Sequence, residues 1–390
     1  MVRIYGTMGP SCESQKTLEA MLGSGLTGLR INMSHATPEE CLNRVKTIRA
    51  ASASVQIPCD IVLDLKGPEQ RVGWLKKTLC LFPGDELIVK SKNRKEELPL
   101  LCVPPTVVNA LEPGDRLLIH DGIVTVEVIE ELEPELAPAQ PDLRPGDASE
   151  DEEEPKGLDA NETDTDLTQD TQNEPEPAGM IVRKRFRCRT VCGGKVSSQQ
   201  SVKIQNKELE GPVLSAGDLN ALDLAADLGI TGVMLSFVRS AADVLEAKEA
   251  LDARGLDVRI FSKIESVSGL RYLDEIMEVS DVIIIARGDL GNAVPLWELP
   301  GAQKRIAARC REAGKPFMVA TQMLQSMTSK AVPYRAEVLD IYNAVLDGAS
   351  YVMVTGETAV GKFPVQVIDM LARTAREAEK DMQGQKAERS

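Results

Sequence analysis

The chain has 390 residues, 43% of them apolar and 27% charged, enough to bury a large core and to form two or three domains. Its net charge of −15 would oppose nucleic acid, yet residues 130–178 hold 18 Asp and Glu against Arg144 and Lys156, so the remainder is close to neutral. There is no basic, aromatic-interleaved surface for nucleic acid, no apolar run of bilayer length, and no leader pattern at the start of the chain.

In chain order, short β-branched runs alternate with amphipathic stretches that open on Ser, Thr or Asp and close on Gly. The runs are Ile4–Gly6, Gly28–Asn32, Ile61–Asp64, Gly232–Ser236, Arg259–Ser262, Val282–Ile285, Phe317–Ala320 and Tyr351–Val354. One intervening helix shows the logic: Ser240 is placed to cap it, Asp243 to complete a capping box, Val244, Leu245 and Leu251 form its stripe, and Gly255 ends it. A last helix is expected over Val365–Met382. Near-continuous apolar strands covered by helices imply a buried parallel sheet, and eight units imply a closed barrel of the α/β class, a (β/α)8 TIM barrel.

Residues 72–203 break this rhythm. Val124, Val126 and Val128 alternate with Ile123, Thr125 and Glu127 after an Asp121-Gly122 turn, and Pro83-Gly84-Asp85 and Pro113-Gly114-Asp115 mark other turns. The pattern predicts a small antiparallel β-barrel domain over 72–203, inserted after the third strand, with the main barrel formed by 1–71 and 204–390. Within it, about 133–179 is acidic, Pro-rich and nearly without aromatics, so a flexible loop is expected there. Beyond the loop, Arg183, Arg185, Arg187 and Arg189 alternate with Val182, Lys184, Phe186, Cys188 and Thr190, the period of a half-buried strand with a basic outer face. That face reads as solvated; a sharper alternative has the acidic loop fold back over it. The eight cysteines are scattered without C-x-x-C spacing and read as reduced thilols of a cytoplasmic protein.

A parallel barrel builds its site from the C-terminal ends of its strands, and polar residues gather there after nearly every run. Arg30, Asn32, Ser34 and His35 follow the second, Asp64, Lys66, Glu69 and Arg71 the third, and Lys263 and Glu265 the fifth. Arg287-Gly288-Asp289-Leu290-Gly291 follows the sixth, Thr321-Gln322 the seventh and Thr355-Gly356-Glu357-Thr358 the eighth. Any one of these would be an ordinary solubilising charge. Together they offer cations for a phosphate, two carboxylates for a divalent ion, and a helix start for an anion, the parts that phosphoryl transfer requires.

The stretches Leu29–His35 (LRINMSH), Leu63–Arg71 (LDLKGPEQR), Ser262–Ser266 (SKIES), Ala286–Gly291 (ARGDLG), Ala320–Met327 (ATQMLQSM) and Val354–Ala359 (VTGETA) resemble, in order, the signatures of the pyruvate kinase family. The resemblance covers residues 2 to about 380 and is weakest in the β domain. It implies transfer of the phosphoryl group of phosphoenolpyruvate to ADP, followed by protonation of the enolate to pyruvate. By motif position it implies that Arg30 and Lys263 hold the phosphoryl group, that Glu265 and Asp289 bind Mg²⁺ or Mn²⁺, and that Gly288, Asp289 and Thr321 receive the substrate carboxylate. It places Thr321 near the proton route. It further implies a K⁺ site from Asn32, Ser34, Asp64 and the Leu65 carbonyl, with Glu69 matching the K⁺-dependent form, nucleotide contacts from His35 and Arg71, and Asp121 where the β domain closes over the site.

The sequence departs from the family pattern at several positions. Leu65 stands where Thr is usual, Gln199-Gln200 where a lysine pair is usual, Lys203-Ile204-Gln205-Asn206 for Asn-Leu-Pro-Gly, and Asn292-Ala293 and Tyr334 for Val-Glu and Thr. The phosphoenolpyruvate side thus follows the family more closely than the acceptor side. No residues remain for the family's C-terminal domain, so control by sugar phosphates through it is expected to be absent and a homodimer through the barrel is expected, with no nucleic-acid or membrane partner. Two other functions fit the same residues: another reaction of a metal-bound enolate, such as decarboxylation of a keto acid, and a non-catalytic protein that binds a phosphometabolite or a protein partner.

Overall fold

Strands buried on both faces need an apolar residue at nearly every position, and the eight apolar runs are strands in the computed structural model. The structure describes residues 1–34, 36–91, 98–120, 122–138, 180–205, 207–209, 211–225 and 228–389. The chain begins with β1 (Arg3–Thr7), β2 (Gly28–Asn32) and β3 (Asp60–Asp64). It then leaves for β4 (Leu79–Leu81), β5 (Glu86–Lys90), β6 (Leu100–Cys102), β7 (Arg116–Ile119), β8 (Val124–Pro138), β9 (Met180–Cys192), β10 (Gly194–Val196) and β11 (Val202–Ile204). It returns with β12 (Gly232–Leu235), β13 (Arg259–Ile264), β14 (Val282–Ala286), β15 (Phe317–Ala320) and β16 (Tyr351–Met353). Strands β1-β16-β15-β14-β13-β12-β3-β2 close into a parallel barrel, with helices between them packed on the outside.

The barrel has two apolar layers, one between strands and helices and one inside it from Tyr5, Val62, Met234, Phe261, Ile284, Met318 and their neighbours. Its N-terminal end is plugged. Tyr351 meets Tyr5 and Phe261 edge-on, at 5.4 and 5.6 Å between ring centroids, and the Asp60 carboxylate receives Tyr5, Arg3 at 2.8 Å and Arg259 at 2.7 Å. Gly28 makes room for this plug, since a methyl group there would come within 2.5 Å of the Tyr5 ring. The opposite end is left as the open mouth.

The inserted strands have a core of their own around Val124, Val126, Val128, Phe186 and Cys188. They form a six-stranded sheet of order β11-β7-β8-β9-β5-β6, antiparallel at every pairing except β5 with β6, and a two-stranded ribbon of β10 and β4. The chain enters and leaves this unit side by side: the Val72 N–H donates to Gln200 O at 2.8 Å and the Val202 N–H to Gln70 O at 2.9 Å. The turns at Gly84 and Gly114 are present, each with positive φ. Asp121 and residues 139–179 lie outside the described residues.

Three local expectations are corrected. Glu133–Pro138 are strand, not the start of a loop, because β8 runs beside β9 and its glutamates face the basic side chains. Arg187 meets Glu130 at 2.8 Å, Lys90 meets Glu135 at 3.0 Å and Arg185 meets Glu135 at 3.4 Å, so part of the basic face is paired within the sheet while Arg189 stays exposed; the fold-back of the acidic loop falls on residues 139–179, outside the described ones. In the helix Ala241–Asp252 the Ser240 side chain makes no capping bond; Asp243 instead accepts the Arg239 N–H at 2.7 Å and grips its guanidinium. Its buried stripe is Val244, Ala247 and Leu251, with Leu245 exposed. The last helix is longer than expected, Pro364–Arg389.

Candidate active site

The strand ends that carried polar residues converge at the open mouth. Lys263 on β13 lies at the centre, its ammonium donating to Ser236 Oγ at 2.9 Å and standing 3.1 Å from Glu265 Oε1 and 3.4 Å from Asp64 Oδ1. Asp64, at the end of β3 and 3% exposed, is held from the other side by Arg30, at 2.5 and 2.7 Å. Arg30 also reaches Thr7 Oγ1 at 3.3 Å. Two cations therefore flank one buried carboxylate and face the mouth together.

Burial and charge compete at each of these groups. Burial alone would push the Lys263 ammonium down, but Asp64 and Glu265 outweigh it and hold it well above the ordinary lysine range. Burial would likewise raise Asp64, yet Lys263 and Arg30 hold it below the usual carboxylate range. Glu265, 2% exposed, is pushed up by burial, pulled back by Lys263 and raised again by Asp289, and stands at about 7. Asp289 goes the other way, because Lys203 and Lys263 overcome its burial.

Glu265 and Asp289 are the carboxylates available to a divalent ion. Glu265 Oε2 accepts the Phe237 N–H at 2.8 Å, while its buried Oε1 has no hydrogen-bond partner. That oxygen, 3.1 Å from the Lys263 ammonium but without a hydrogen bond, lies beside a second carboxylate and fits Mg²⁺ or Mn²⁺, which takes one or two protein carboxylates and completes its shell with water and substrate oxygens. Among the described residues there is no cluster of three metal-ligating side chains, so such an ion would need those outside ligands.

For K⁺ the expected residues are also adjacent. Asn32 and Asp64 are register partners on β2 and β3, the Ser34 N–H donates to Asn32 Oδ1 at 3.0 Å, and Asp64 Oδ1 is buried without a hydrogen bond. The Leu65 carbonyl accepts the Ser236 hydroxyl at 2.8 Å, with its second lone pair left over. Asp64 oxygen and carbonyl oxygen suit a hard cation, although Arg30 and Lys263 already neutralise the carboxylate.

At β15, Thr321 takes positive φ, 71°, and Gln322 follows at 57°. Phe237 after β12 and Gln199 before β11 are also in this left-handed region, at 55° and 63°. Non-glycine residues held there cost energy and gather where side chains must be aimed. Thr321 is pinned twice: its Oγ1 accepts the Gly288 N–H at 3.0 Å, and its carbonyl accepts the Arg287 guanidinium at 3.1 Å, which is itself gripped by Asp340 at 2.7 Å. The Gly288 amide is thus committed to Thr321 as the chain stands, rather than pointing free into the mouth.

On the side where a nucleotide was expected, Arg71 donates to Glu69 at 2.7 Å and to the Gln199 carbonyl at 2.7 Å. Burial pushes Glu69 up despite Arg71. The Gln199 and Gln200 amides are spent on the turn itself: on Val72 O at 3.3 Å, on the Ser197 N–H at 2.9 Å and on His120 Nδ1 at 3.1 Å. His35 lies outside the described residues. A cleft of about 520 Å³ opens between the barrel mouth and the inserted sheet, lined by Glu69, Lys203, Phe237, Glu265 and Asp289 among others.

Sequence reasoning missed three residues that position this site. Ser236 holds Lys263, and Asp340 holds Arg287. Asp218, 1% exposed, accepts the N–H groups of Lys66 at 2.7 Å and Gly67 at 2.9 Å and so fixes the loop after β3. Ser236 sat at a predicted strand end and could have been found there; Asp218 and Asp340 lie far from the strand ends they serve, with no local signal.

A family model described as pyruvate kinase, barrel domain, matches residues 1–141 and 178–368. Pyruvate kinase 1 of Trypanosoma brucei brucei is 32% identical over 382 residues, covering 97% of this chain and 67% of that protein. Pyruvate kinase PKLR of Rattus norvegicus is 34% identical over 390 residues, covering 96% and 59%. A pyruvate kinase of Methylorubrum extorquens is 32% identical over 381 residues, covering 97% and 69%. The chain therefore spans between 59% and 69% of the length of these three relatives.

Proposed function

The chain belongs to the pyruvate kinase family, and we propose that it transfers the phosphoryl group of phosphoenolpyruvate to a nucleoside diphosphate, giving pyruvate and the triphosphate. The observation that carries this reading is the half-buried Lys263 ammonium, flanked by Asp64 and Glu265 and adjacent to Arg30 across Asp64. A cation locked protonated at that point is of most use where negative charge moves from one oxygen to another.

In this reading Arg30 and Lys263 take the phosphoryl oxygens. As the bond from phosphorus to the enol oxygen breaks and that to the nucleotide's terminal oxygen forms, Lys263 stabilises the charge left on the enolate. Thr321, whose hydroxyl oxygen accepts from Gly288, relays a proton drawn from solvent to the methylene carbon, taking one up as it passes one on, so that the methyl group of pyruvate forms. Glu265 and Asp289 would hold Mg²⁺ or Mn²⁺, and Asn32, Ser34, Asp64 and the Leu65 carbonyl K⁺; the ions supply charge neutralisation for the transferring group. Arg71 faces the nucleotide.

A second reading, an enolate reaction with another acceptor, draws on Gln199 and Gln200, whose amides brace a turn and bring no charge to a nucleotide. Pyruvate formation from phosphoenolpyruvate, followed with ADP, GDP, UDP and no nucleotide in Mg²⁺ and K⁺, separates the two. The kinase reading expects turnover only with a diphosphate; turnover without one contradicts it. Among the described residues no helix is long and apolar enough to cross a membrane.

A further inference from the structure

Lys203 is the one lysine that β11 sends into the cleft. Its Nζ lies 2.5 Å from Asp289 Oδ1 and 4.4 Å from the centroid of the Phe237 ring. It lines the cleft with Glu69, Glu265 and Asp289 and acts electrostatically on all three carboxylates. β11 belongs to the inserted sheet through its pairing with β7, whereas Asp289 follows β14 of the barrel, so this ion pair ties the two units together across the mouth.

We propose that Lys203 is a tethered cation that competes with the divalent ion for Asp289, so that loading the metal requires the ammonium to leave that carboxylate. The inference rests on the reading of Glu265 and Asp289 as the metal ligands. An ammonium at hydrogen-bond distance occupies the lone pair that a metal would use, and its charge opposes a second cation at the same carboxylate. The Phe237 ring offers the ammonium a favourable face and Asp289 a full ion pair, so leaving carries a cost that asparagine would not impose. Only one oxygen of Asp289 is taken in this way, and Glu265 Oε1 makes no hydrogen bond although Lys263 stands 3.1 Å away, so the site is restrained rather than filled.

Mn²⁺ binding to the full chain without substrate, followed by electron paramagnetic resonance of the free ion, tests this directly. Lys203→Asn and Lys203→Gln should bind Mn²⁺ about tenfold more tightly than the unaltered protein, whereas Lys203→Arg, which keeps the charge, should not. Thermal melting of each variant checks that the fold is intact. Equal affinity in all four proteins, with binding lost in Asp289→Asn, would overturn the competition while leaving the metal ligands standing. Absence of Mn²⁺ binding in all of them would overturn the metal reading and the competition with it.

Discussion

The Lys263 ammonium donates to Ser236 Oγ at 2.9 Å, and the same hydroxyl donates to the Leu65 carbonyl at 2.8 Å. One small side chain therefore ties the ends of β12, β13 and β3 together at the point where charge would move. Ser236→Ala removes a charge-assisted bond from Lys263 without removing the charge, and turnover should fall about tenfold or more. Steady-state kinetics beside a thermal melt will check this: kcat falls while the melting temperature changes little.

Asp218 serves the neighbouring loop. It accepts from Lys66 N–H, Gly67 N–H, Ser215 N–H at 2.8 Å and Ser215 Oγ at 2.6 Å, all within an almost fully buried pocket. Asp218→Ala leaves those donors unsatisfied and should cost about 3 kcal/mol in a urea titration. Because Glu69 and Arg71 lie on the same loop, nucleotide KM should rise as well.

Phe186 is fully buried in the core of the inserted unit, which is separate from the barrel cores. Phe186→Ala should destabilise that unit by about 3–5 kcal/mol. Hydrogen exchange will check it: protection falls over β5, β8 and β9 and persists in β13 to β15.

Thiol reactivity should divide in two. Cys80 and Cys192 are exposed, and the other six are buried. Burial pushes Cys12 and Cys102 up to about 11 and Cys59, Cys188 and Cys310 up to about 12. These stay thiols below those values, so raising the pH from 7 to 9 leaves them unreactive. Titration with a chromogenic disulfide should release two equivalents quickly at either pH and the remaining six on unfolding.

The barrel was legible in the sequence because a strand buried on both faces has no choice of residue: Val282–Ala286 is apolar throughout, and so is Phe317–Ala320. The polar residues at the mouth were legible because they break those runs. What escaped were relationships between distant residues. Glu135 read as part of an acidic loop, since its partner Arg185 is 50 residues away and pairs with it only once β8 lies beside β9. Ser240 read as a cap, whereas Arg239 and Asp243 had already closed that turn between themselves. Lys203 read as a simple departure from a motif until the fold put it on Asp289.

Phosphoryl transfer at Lys263, as proposed, is read directly by phosphorus-31 nuclear magnetic resonance of phosphoenolpyruvate and ADP with the protein, Mg²⁺ and K⁺. The phosphoenolpyruvate signal should decline as the γ-phosphate signal of ATP grows, and neither should change with Lys263→Met. An unchanged spectrum with the intact protein, or growth of inorganic phosphate in place of ATP, would contradict it.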